Sequence, residues 1–237
     1  MSRALVTGGS GIIGRAIALS LAAAGHYVYV HGRGAKTAAV AAEIVAAGGA
    51  AEAVCFDITD AAETNAALAR ILAAGAIQIL VNNAGIHDDA VMPGMRHEQW
   101  ASVIDVSLNG FFNVTQPLLL PMIRTRWGRI INVSSVAAVM GNRGQVNYAA
   151  AKAGLHGATR SLSLELASRG ITVNTVAPGI IASPSTEVIF PKEVIAKLVP
   201  MQRAGQPEEV ADLVAFLASR NAGYISGQLI SINGGMA

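Results

Sequence analysis

The segment Ala4–Gly14 reads ALVTGGSGIIG, and it decides the fold. Three apolar residues lead into a glycine-rich turn, which opens a stretch with a helical pattern. Glycines at such a turn allow a tight bend and let backbone N–H groups approach a phosphate, while the helix N-terminus adds a favourable dipole. The segment therefore predicts a strand–turn–helix unit, and a dinucleotide is its first candidate ligand.

Strand-like and helix-like stretches alternate along the rest of the chain. The predicted strands are Ala4–Thr7, Tyr27–His31, Ala51–Phe56, Ile77–Asn82, Gly128–Ser134, Thr172–Ala177 and Leu229–Ile232. The predicted helices lie near residues 13–24, 36–47, 61–74, 97–124, 146–168 and 207–219. Many strands are nearly continuous apolar runs, which is typical of parallel strands buried on both faces. We therefore expect one α/β domain over residues 1–237, with a doubly wound, Rossmann-like parallel sheet of seven strands and helices on both faces.

Composition and charge exclude several other classes of protein. The 237 residues are 52% hydrophobic and 14% charged, with a mean hydropathy of +0.46. A membrane span needs about 18 to 20 uninterrupted apolar residues, but polar residues or glycine interrupt the charge-free stretches Ala16–Gly32 and Ile71–His87. Neither a membrane span nor a signal peptide is expected. The basic residues are scattered, which argues against nucleic-acid binding, and His87, Asp88 and Asp89 lack the compact ligand set of a metal site.

Cys55 is the only cysteine, so an internal disulfide is excluded and a reducing, cytoplasmic compartment is expected. We expect Cys55 to be buried as a small apolar residue. The charged fraction lies well below the roughly 25% of an average soluble domain. Such a chain has few charged residues for the surface of a monomer, which favours an oligomer.

Polar residues and glycines stand where several predicted strands end. These positions are Thr7-Gly8, Asn82-Asn83, Ser134-Ser135 and Pro178-Gly179. Ligands of a doubly wound sheet bind beyond the carboxyl ends of the strands, so these residues should converge on one edge. The second strand ends at His31-Gly32-Arg33, without an acidic residue for a ribose 2′-hydroxyl. Arg33 can contact a 2′-phosphate, which favours NADP over NAD.

Tyr148 and Lys152 are four residues apart in a predicted helix and therefore share one helix face. Ser135 stands at a strand end thirteen residues before Tyr148. With Thr7-Gly8, Gly14, Asn82–Gly85 and Pro178-Gly179 in this order, the whole chain resembles the short-chain dehydrogenase/reductase superfamily. Residues 140–154 (MGNRGQVNYAAAKAG), residues 166–174 (LASRGITVN) and the C-terminal segments YISGQ and NGGM are similar to bacterial 3-oxoacyl-[acyl-carrier-protein] reductases.

The resemblance implies reduction of a 3-oxoacyl thioester by NADPH in fatty-acid synthesis or a related polyketide or polyene pathway. Tyr148 would be the general acid, and Lys152 would bind the nicotinamide ribose and move the pKa of Tyr148 toward neutrality. Ser135 would bind the carbonyl oxygen, with Ser134 as an adjacent competitor. Residues 184–206 resemble the substrate lid of the family.

The same resemblance implies a cofactor site and a partner. It places Gly8, Gly9, Ser10, Gly11 and Ile13 at the pyrophosphate, Asp57 and Ile58 at the adenine, Asn83, Ala84 and Gly85 at the ribose, and Pro178, Gly179, Ile181 and Ser183 at the nicotinamide. Arg126 and Arg169 match positions that dock acidic acyl-carrier protein. The family is usually tetrameric, with the helices at 97–124 and 146–168 in the interface.

The chain departs from the family at two positions. Ile12 replaces the second glycine of the turn, and Ser107 replaces an asparagine that holds a water near the lysine. That role depends largely on a main-chain carbonyl at a helix kink, which Ser107 could preserve. Asn109 lies about 200° around the helix from Ser107 and cannot simply substitute.

Two other functions stay open from the sequence. The chain could reduce acetoacetyl-CoA or a specialised polyketide or polyene intermediate, which the two departures make more plausible. It could also be a non-catalytic binding or scaffold subunit of a synthase, although retention of Ser135, Tyr148 and Lys152 argues against this.

Overall fold

A computed structural model describes the backbone of residues 1–237 and every side chain except those of Ser185 and Glu187. The strands are β1 (Arg3–Val6), β2 (Tyr27–Gly32), β3 (Ala50–Cys55), β4 (Ile79–Asn82), β5 (Gly128–Val133), β6 (Ile171–Pro178) and β7 (Leu229–Ile232). They form one parallel sheet in the order β3-β2-β1-β4-β5-β6-β7. The sheet grows in both directions from the β1–β4 pair, so the predicted doubly wound α/β fold is confirmed.

The connections between strands are helical. The helices are α1 (Ile12–Ala23), α2 (Ala35–Ala46), α3 (Ala61–Ala73), α4 (His97–Ile104), α5 (Gly110–Thr125), α6 (Ala137–Met140), α7 (Val146–Leu166), α8 (Pro184–Ile189), α9 (Lys192–Leu198) and α10 (Pro207–Ala218). The short helices α6, α8 and α9 were not predicted, because four to seven residues are too few to show a helical period. Among the described residues, no helix is both long and apolar enough to cross a membrane.

The sheet separates two hydrophobic cores. Ala4 and Val6 of β1 pack into one core with α1, α2 and α10, whereas Leu5 packs into the other with α3, α5 and the end of α7. Side chains such as Leu21 of α1 and Leu118 of α5 are fully buried, and burial of each contributes about 1.5–3 kcal/mol. Because both faces are covered, the strands carry the apolar runs that the sequence shows.

Three sequence-based expectations need correction. Cys55 is exposed, because it is the last residue of β3, the outermost strand on one side of the sheet. Its predicted burial is therefore wrong. The helix predicted over 97–124 is interrupted by a π-helical turn at Asp105–Asn109. The helix predicted over 146–168 ends at Leu166 and continues as a 3₁₀ turn.

Candidate active site

Two glycines of the turn after β1 and one in the first turn of α1 occupy positions that do not accommodate a side chain. Gly8 lies in the left-handed region with a φ of +61°. A Cβ on Gly9 would stand 2.8 Å from Cγ1 of Val30, and a Cβ on Gly14 would overlap the carbonyl oxygen of Gly8. The turn can therefore pass close to both β2 and α1.

Hydrogen bonds join this turn to the turn after β4. The side chain of Asn83 donates to the carbonyl oxygens of Thr7 and Gly8, at 3.0 and 3.1 Å. The hydroxyl of Thr7 accepts from the backbone N–H groups of Asn83 and Ala84, at 3.0 and 3.1 Å. The structure thus brings Gly8, Asn83 and Ala84 together, as the sequence predicts for one site.

The start of α1 fits a dinucleotide pyrophosphate. Gly11 caps the helix and, as a glycine, has no side chain to occupy the N–H groups of the first turn. Those donors and the helix dipole favour a bound phosphate. Gly11 has an extended backbone and Ile12 begins the helix with its side chain 45% exposed, so the loss of the family glycine imposes no backbone strain.

Arg33 and Asp57 pair across the ends of β2 and β3. The guanidinium of Arg33 lies 3.7 Å from the carboxylate of Asp57, and both side chains are substantially exposed. Hydrogen bonds from Thr59, helped by the nearby Arg33, hold the pKa of Asp57 below its ordinary value. Ile58 is buried beside this pair. Residues predicted for the adenosine half of a dinucleotide therefore lie together.

Ser135 follows β5, and Tyr148 lies in the first turn of α7. The hydroxyl of Ser135 lies close enough to the phenol of Tyr148 to lower its pKa, and Ser135 Oγ accepts from the N–H of Ala137 at 3.1 Å. Tyr148 is buried, with 8% of its surface exposed. Burial raises the pKa of Tyr148 to about 12, against the lowering effect of Ser135 and with a smaller raising effect of Asp89. The phenol is therefore protonated at neutral pH.

Lys152 is buried one helical turn after Tyr148. Its Nζ donates to the carbonyl oxygen of Val133 at 2.9 Å and lies 5.8 Å from the centroid of the Tyr148 ring. A Cβ on Gly85 would stand 3.0 Å from Nζ, so a glycine there leaves room for the ammonium. Burial lowers the pKa of Lys152 to about 8.

The expectation that Lys152 moves the pKa of Tyr148 toward neutrality is wrong for this arrangement. Desolvation of the phenol dominates and raises its pKa. The ammonium donates to the carbonyl oxygen of Val133 and lies 5.8 Å from the centroid of the phenol ring. Burial therefore decides the direction of the shift in the pKa of Tyr148.

Asn147 is a buried residue that sequence reasoning missed. Its amide donates to the carbonyl oxygens of Asp88 and Gln99, both at 2.9 Å, and its oxygen accepts from the N–H of Tyr148 at 2.8 Å. These bonds fasten the loop after β4, and α4, to the start of α7. Because the two carbonyls lie 59 and 48 residues away along the chain, no local pattern reveals the role.

The imidazole of His87 covers the phenol of Tyr148. The two rings lie 4.0 Å apart between centroids and are inclined by 32°. The amide of Gln145 lies 3.4 Å from Nδ1 of His87 and donates to Asp89 at 2.7 Å. Burial lowers the pKa of His87, opposed by Asp89 and assisted by Lys152. Among the described side chains, no group of His, Cys, Asp or Glu is arranged to hold a metal ion.

Ser134, the competitor of Ser135, faces α7 instead of the phenol. Its hydroxyl donates to the carbonyl oxygen of Lys152 at 3.1 Å and lies 2.7 Å from Nε2 of His156. Ser134 thus ties β5 to α7, while Ser135 contacts Tyr148.

Ser107 lies in the middle of the π-helical turn. It is buried, and its hydroxyl has no hydrogen-bond partner among the atoms that the structure describes. It borders a cavity of about 10 Å³, which Asn82 also lines and which is close to the volume that one water needs. A π turn shifts main-chain hydrogen bonds from their regular partners. The predicted irregular backbone is therefore present at this position.

The loop after β6 carries the residues predicted for the nicotinamide. A Cβ on Gly179 would stand 2.7 Å from Cα of Asn233, so the loop approaches the end of β7 closely. Ile181 pairs with Gly205 in a short parallel bridge, which joins the two ends of the predicted lid at its base. Ser183 caps α8 with its side chain.

Arg126 and Arg169 lie at the opposite edge of the sheet from Ser135. They precede β5 and β6, both are exposed, and the guanidinium of Arg126 donates to the carbonyl oxygen of Ser168 at 3.4 Å. Six residues of β5 span about 20 Å. The structure therefore brings the two arginine-bearing loops together, but away from the candidate site of the same chain.

A doubly wound parallel sheet, a turn that fits a pyrophosphate and a Ser–Tyr–Lys cluster at one edge define a dinucleotide-dependent oxidoreductase. A profile of the family described as enoyl-(acyl carrier protein) reductase matches residues 9–237. A protein named 3-oxoacyl-[acyl-carrier-protein] reductase FabG in Staphylococcus aureus is 47% identical over 238 residues, which cover 98% of this chain and 97% of that protein.

Two further relatives agree. A 3-oxoacyl-[acyl-carrier-protein] reductase of Synechocystis sp. is 48% identical, covering 98% of this chain and 96% of the relative. The protein named FabG in Aggregatibacter actinomycetemcomitans is 44% identical, covering 98% of both chains. The chain therefore belongs to the short-chain dehydrogenase/reductase family, whose members are oxidoreductases that use a nicotinamide cofactor.

Proposed function

We propose that this chain reduces the 3-oxo group of a carrier-bound acyl thioester to a 3-hydroxy group, in fatty-acid or related polyketide or polyene biosynthesis. The observation that carries the proposal is the placement of Ser135 close to Tyr148, with Lys152 buried one helical turn away, at the edge that holds the glycine-rich turn. Relatives from three bacteria are named for the same reaction.

Ser135 and Tyr148 have different roles in the reduction of the carbonyl group. NADPH, when bound, supplies the hydride that reduces the carbonyl carbon. Ser135 donates a hydrogen bond to the oxygen, on which negative charge develops. Tyr148 then gives its phenolic proton to that oxygen, so hydride and proton together convert the ketone to an alcohol. An alkoxide is a stronger base than a phenolate, so transfer is favourable even from a phenol whose pKa is about 12.

Lys152 acts on the charge that Tyr148 is left with. Its ammonium lies 5.8 Å from the phenol ring in a buried setting, where a positive charge stabilises a phenolate more than it would in water. With a pKa of about 8, the group is mostly protonated at neutral pH. We propose that the main chain at Ser107 takes part in returning the proton, through the irregular turn beside the small cavity.

NADP is the proposed form of the cofactor. β2 ends without a carboxylate, and the exposed guanidinium of Arg33 stands beside this end. A guanidinium binds a 2′-phosphate through charge-assisted hydrogen bonds, whereas a carboxylate selects the 2′-hydroxyl of NAD.

A panel of substrates tests the proposal. We expect NADPH oxidation with acetoacetyl-carrier protein and slower oxidation with acetoacetyl-CoA or with NADH. We expect none with a 2-enoyl thioester, because its C3 carries no oxygen for Ser135 and Tyr148 to bind. A preference for the CoA ester or for a polyunsaturated chain would select the specialised reductase instead. NADPH binding without turnover of any 3-oxoacyl thioester would contradict the proposal. It would favour the alternative of a non-catalytic binding or scaffold subunit of a synthase.

We also propose that Arg126 and Arg169 dock the acidic carrier in a homo-oligomer, most simply a tetramer. Because both arginines lie at the far edge of their own sheet, the docked carrier would serve the site of a neighbouring copy. The double variant Arg126→Glu/Arg169→Glu should raise KM for the carrier-bound substrate and leave KM for acetoacetyl-CoA unchanged. Equal effects on both substrates would contradict this docking.

A further inference from the structure

His31 holds the glycine-rich turn through both its side chain and its main chain. The residue lies in β2 and is 3% exposed. Its Nδ1 lies 3.3 Å from the backbone nitrogen of Gly8, and its Nε2 lies 2.9 Å from the carbonyl oxygen of Phe56. Its own carbonyl oxygen accepts from the N–H of Gly9 at 2.7 Å. One buried histidine therefore contacts two consecutive glycines of the turn.

The partners of His31 determine its protonation state. The N–H of Gly8 can only donate, so Nδ1 must carry a lone pair, and the carbonyl of Phe56 can only accept, so Nε2 must carry the proton. This arrangement is the neutral imidazole in a single tautomer. In an imidazolium, the proton on Nδ1 would face the N–H of Gly8, and neither buried donor would have an acceptor.

Charged groups on three segments face the imidazole. Asp57, after β3, and Glu63, on α3, favour the imidazolium, whereas Arg33, after β2, opposes it. Burial outweighs the two carboxylates and lowers the pKa of His31. The ring of Phe56 lies 4.2 Å away between centroids and adds an apolar contact. His31 is therefore neutral under ordinary conditions and titrates only in acid.

We propose that His31 is a positioning residue for the dinucleotide: in its neutral form it holds the Gly8 N–H, and in its protonated form it releases the turn and weakens cofactor binding. The inference rests on the proposed function, because it requires the turn to bind a dinucleotide. Gly8 has a positive φ, so an unsupported turn has more conformations to lose on binding.

The pH dependence of binding has a sign that tests this proposal. If the bound state requires a neutral imidazole, dinucleotide affinity falls as the pH drops through the pKa of His31. A merely electrostatic role would do the opposite, because an imidazolium near a pyrophosphate would attract it. We expect the loss of the Gly8 bond to dominate, since it disrupts the turn itself.

Two variants separate the hydrogen bond from the charge. His31→Asn keeps an acceptor near the position of Nδ1 but does not titrate, and His31→Phe fills the space without an acceptor. The dissociation constant of NADPH is measured by its fluorescence between about pH 8 and about pH 5.5, with circular dichroism as a check on folding. Titration of the 2′-phosphate affects all three proteins and cancels in their ratios.

We expect the ratio of the NADPH affinity of the wild type to that of His31→Asn to decrease as the pH is lowered. The decrease should reach at most about tenfold per pH unit. His31→Phe should bind about tenfold more weakly than His31→Asn even at the alkaline end. A ratio that rises toward acid, or one that stays constant over the pH interval in which nitrogen NMR shows His31 becoming protonated, would overturn the proposal, as would wild-type affinity in His31→Phe.

Nitrogen NMR of the imidazole gives a readout that needs no cofactor. The protein at neutral pH should show the neutral tautomer protonated at Nε2, and an imidazolium or a proton on Nδ1 would contradict the assignment. If no form of the chain binds NADPH at any pH, the proposed function itself fails. A normal NADPH affinity with a pH-independent ratio rejects only the role of His31.

Discussion

Lys152 is enclosed by the protein and donates to the carbonyl oxygen of Val133. Burial lowers its pKa to about 8, whereas the unfolded chain exposes the same side chain with an ordinary value of 10.5. Between these two pH values the unfolded chain binds more protons than the folded chain, so the free energy of unfolding rises with pH. Below this interval the buried charge destabilises the fold.

Lys152→Met should therefore stabilise the protein near neutral pH. A shift of about 2.5 pKa units corresponds to about 3 kcal/mol, which is the upper limit of the gain. The variant should also lose the rise in stability between about pH 8 and about pH 10.5. Urea unfolding of both proteins across this range measures the effect, and parallel stability curves would count against the buried ammonium.

Single residues were predictable where a short pattern carries the role. Tyr148 and Lys152 share a helix face, and Ser135 follows the end of β5, so all three reach one edge of the sheet. Asn147 and His31 were missed because their roles consist of bonds to backbone groups distant in the chain. The pKa of Tyr148 could not be judged either, since burial is a property of the folded molecule.

At the scale of the elements, the π turn at Asp105–Asn109 separates α4 from α5. Ser107 contributes to it a buried hydroxyl that has no partner in the described part of the molecule. An unpartnered buried hydroxyl gives no net stabilisation. We propose that the main-chain carbonyl, which a change of side chain leaves in place, is what this position supplies to a proton relay.

Ser107→Ala should keep its turnover, and its stability should change by no more than about 1 kcal/mol. Ser107→Asn should raise turnover, because an amide can add a hydrogen bond beside the small cavity. Steady-state kinetics of the wild type, Ser107→Ala and Ser107→Asn with one substrate measure these changes in turnover. Complete loss of activity in Ser107→Ala would show that the hydroxyl itself is required.

The long elements were predictable from their periods, with shifts of one or two residues at most ends. The apolar runs of β4 and β5 and the helical period of α1 and α7 are local properties of the sequence. The π-helical interruption at Asp105–Asn109 was not predictable, because the apolar period of the sequence continues through it. The order of the strands depends on pairing between distant segments, which periodicity does not encode.

For the whole molecule, we propose that an oligomer interface accounts for both the low charge of the chain and its exposed apolar residues. Large side chains remain exposed on the helices α5 and α7, which the resemblance to the family implies as that interface. Phe112 and Leu120 of α5 and Leu164 of α7 are 62%, 65% and 83% exposed. Burial of such side chains between copies would provide the stabilisation that an oligomer needs.

Leu164→Glu should reduce the mass of the particle in solution, because it would bury a charge in the predicted interface. Val45→Glu, at an exposed position of α2 on the other face of the sheet, is a control for the replacement of an exposed apolar side chain by a charge. Light scattering after gel filtration gives the mass of each protein. An unchanged oligomer in Leu164→Glu would place the interface on another surface.

The central claim is that this edge of the sheet reduces a carbonyl group with Tyr148 as the proton donor. The most direct test is steady-state oxidation of NADPH with a 3-oxoacyl thioester by the wild-type protein and by Tyr148→Phe, together with their NADPH dissociation constants. We expect the variant to bind NADPH normally but to lose about 10²- to 10⁴-fold in kcat, since only the transferable proton is removed. Wild-type turnover in Tyr148→Phe would contradict it.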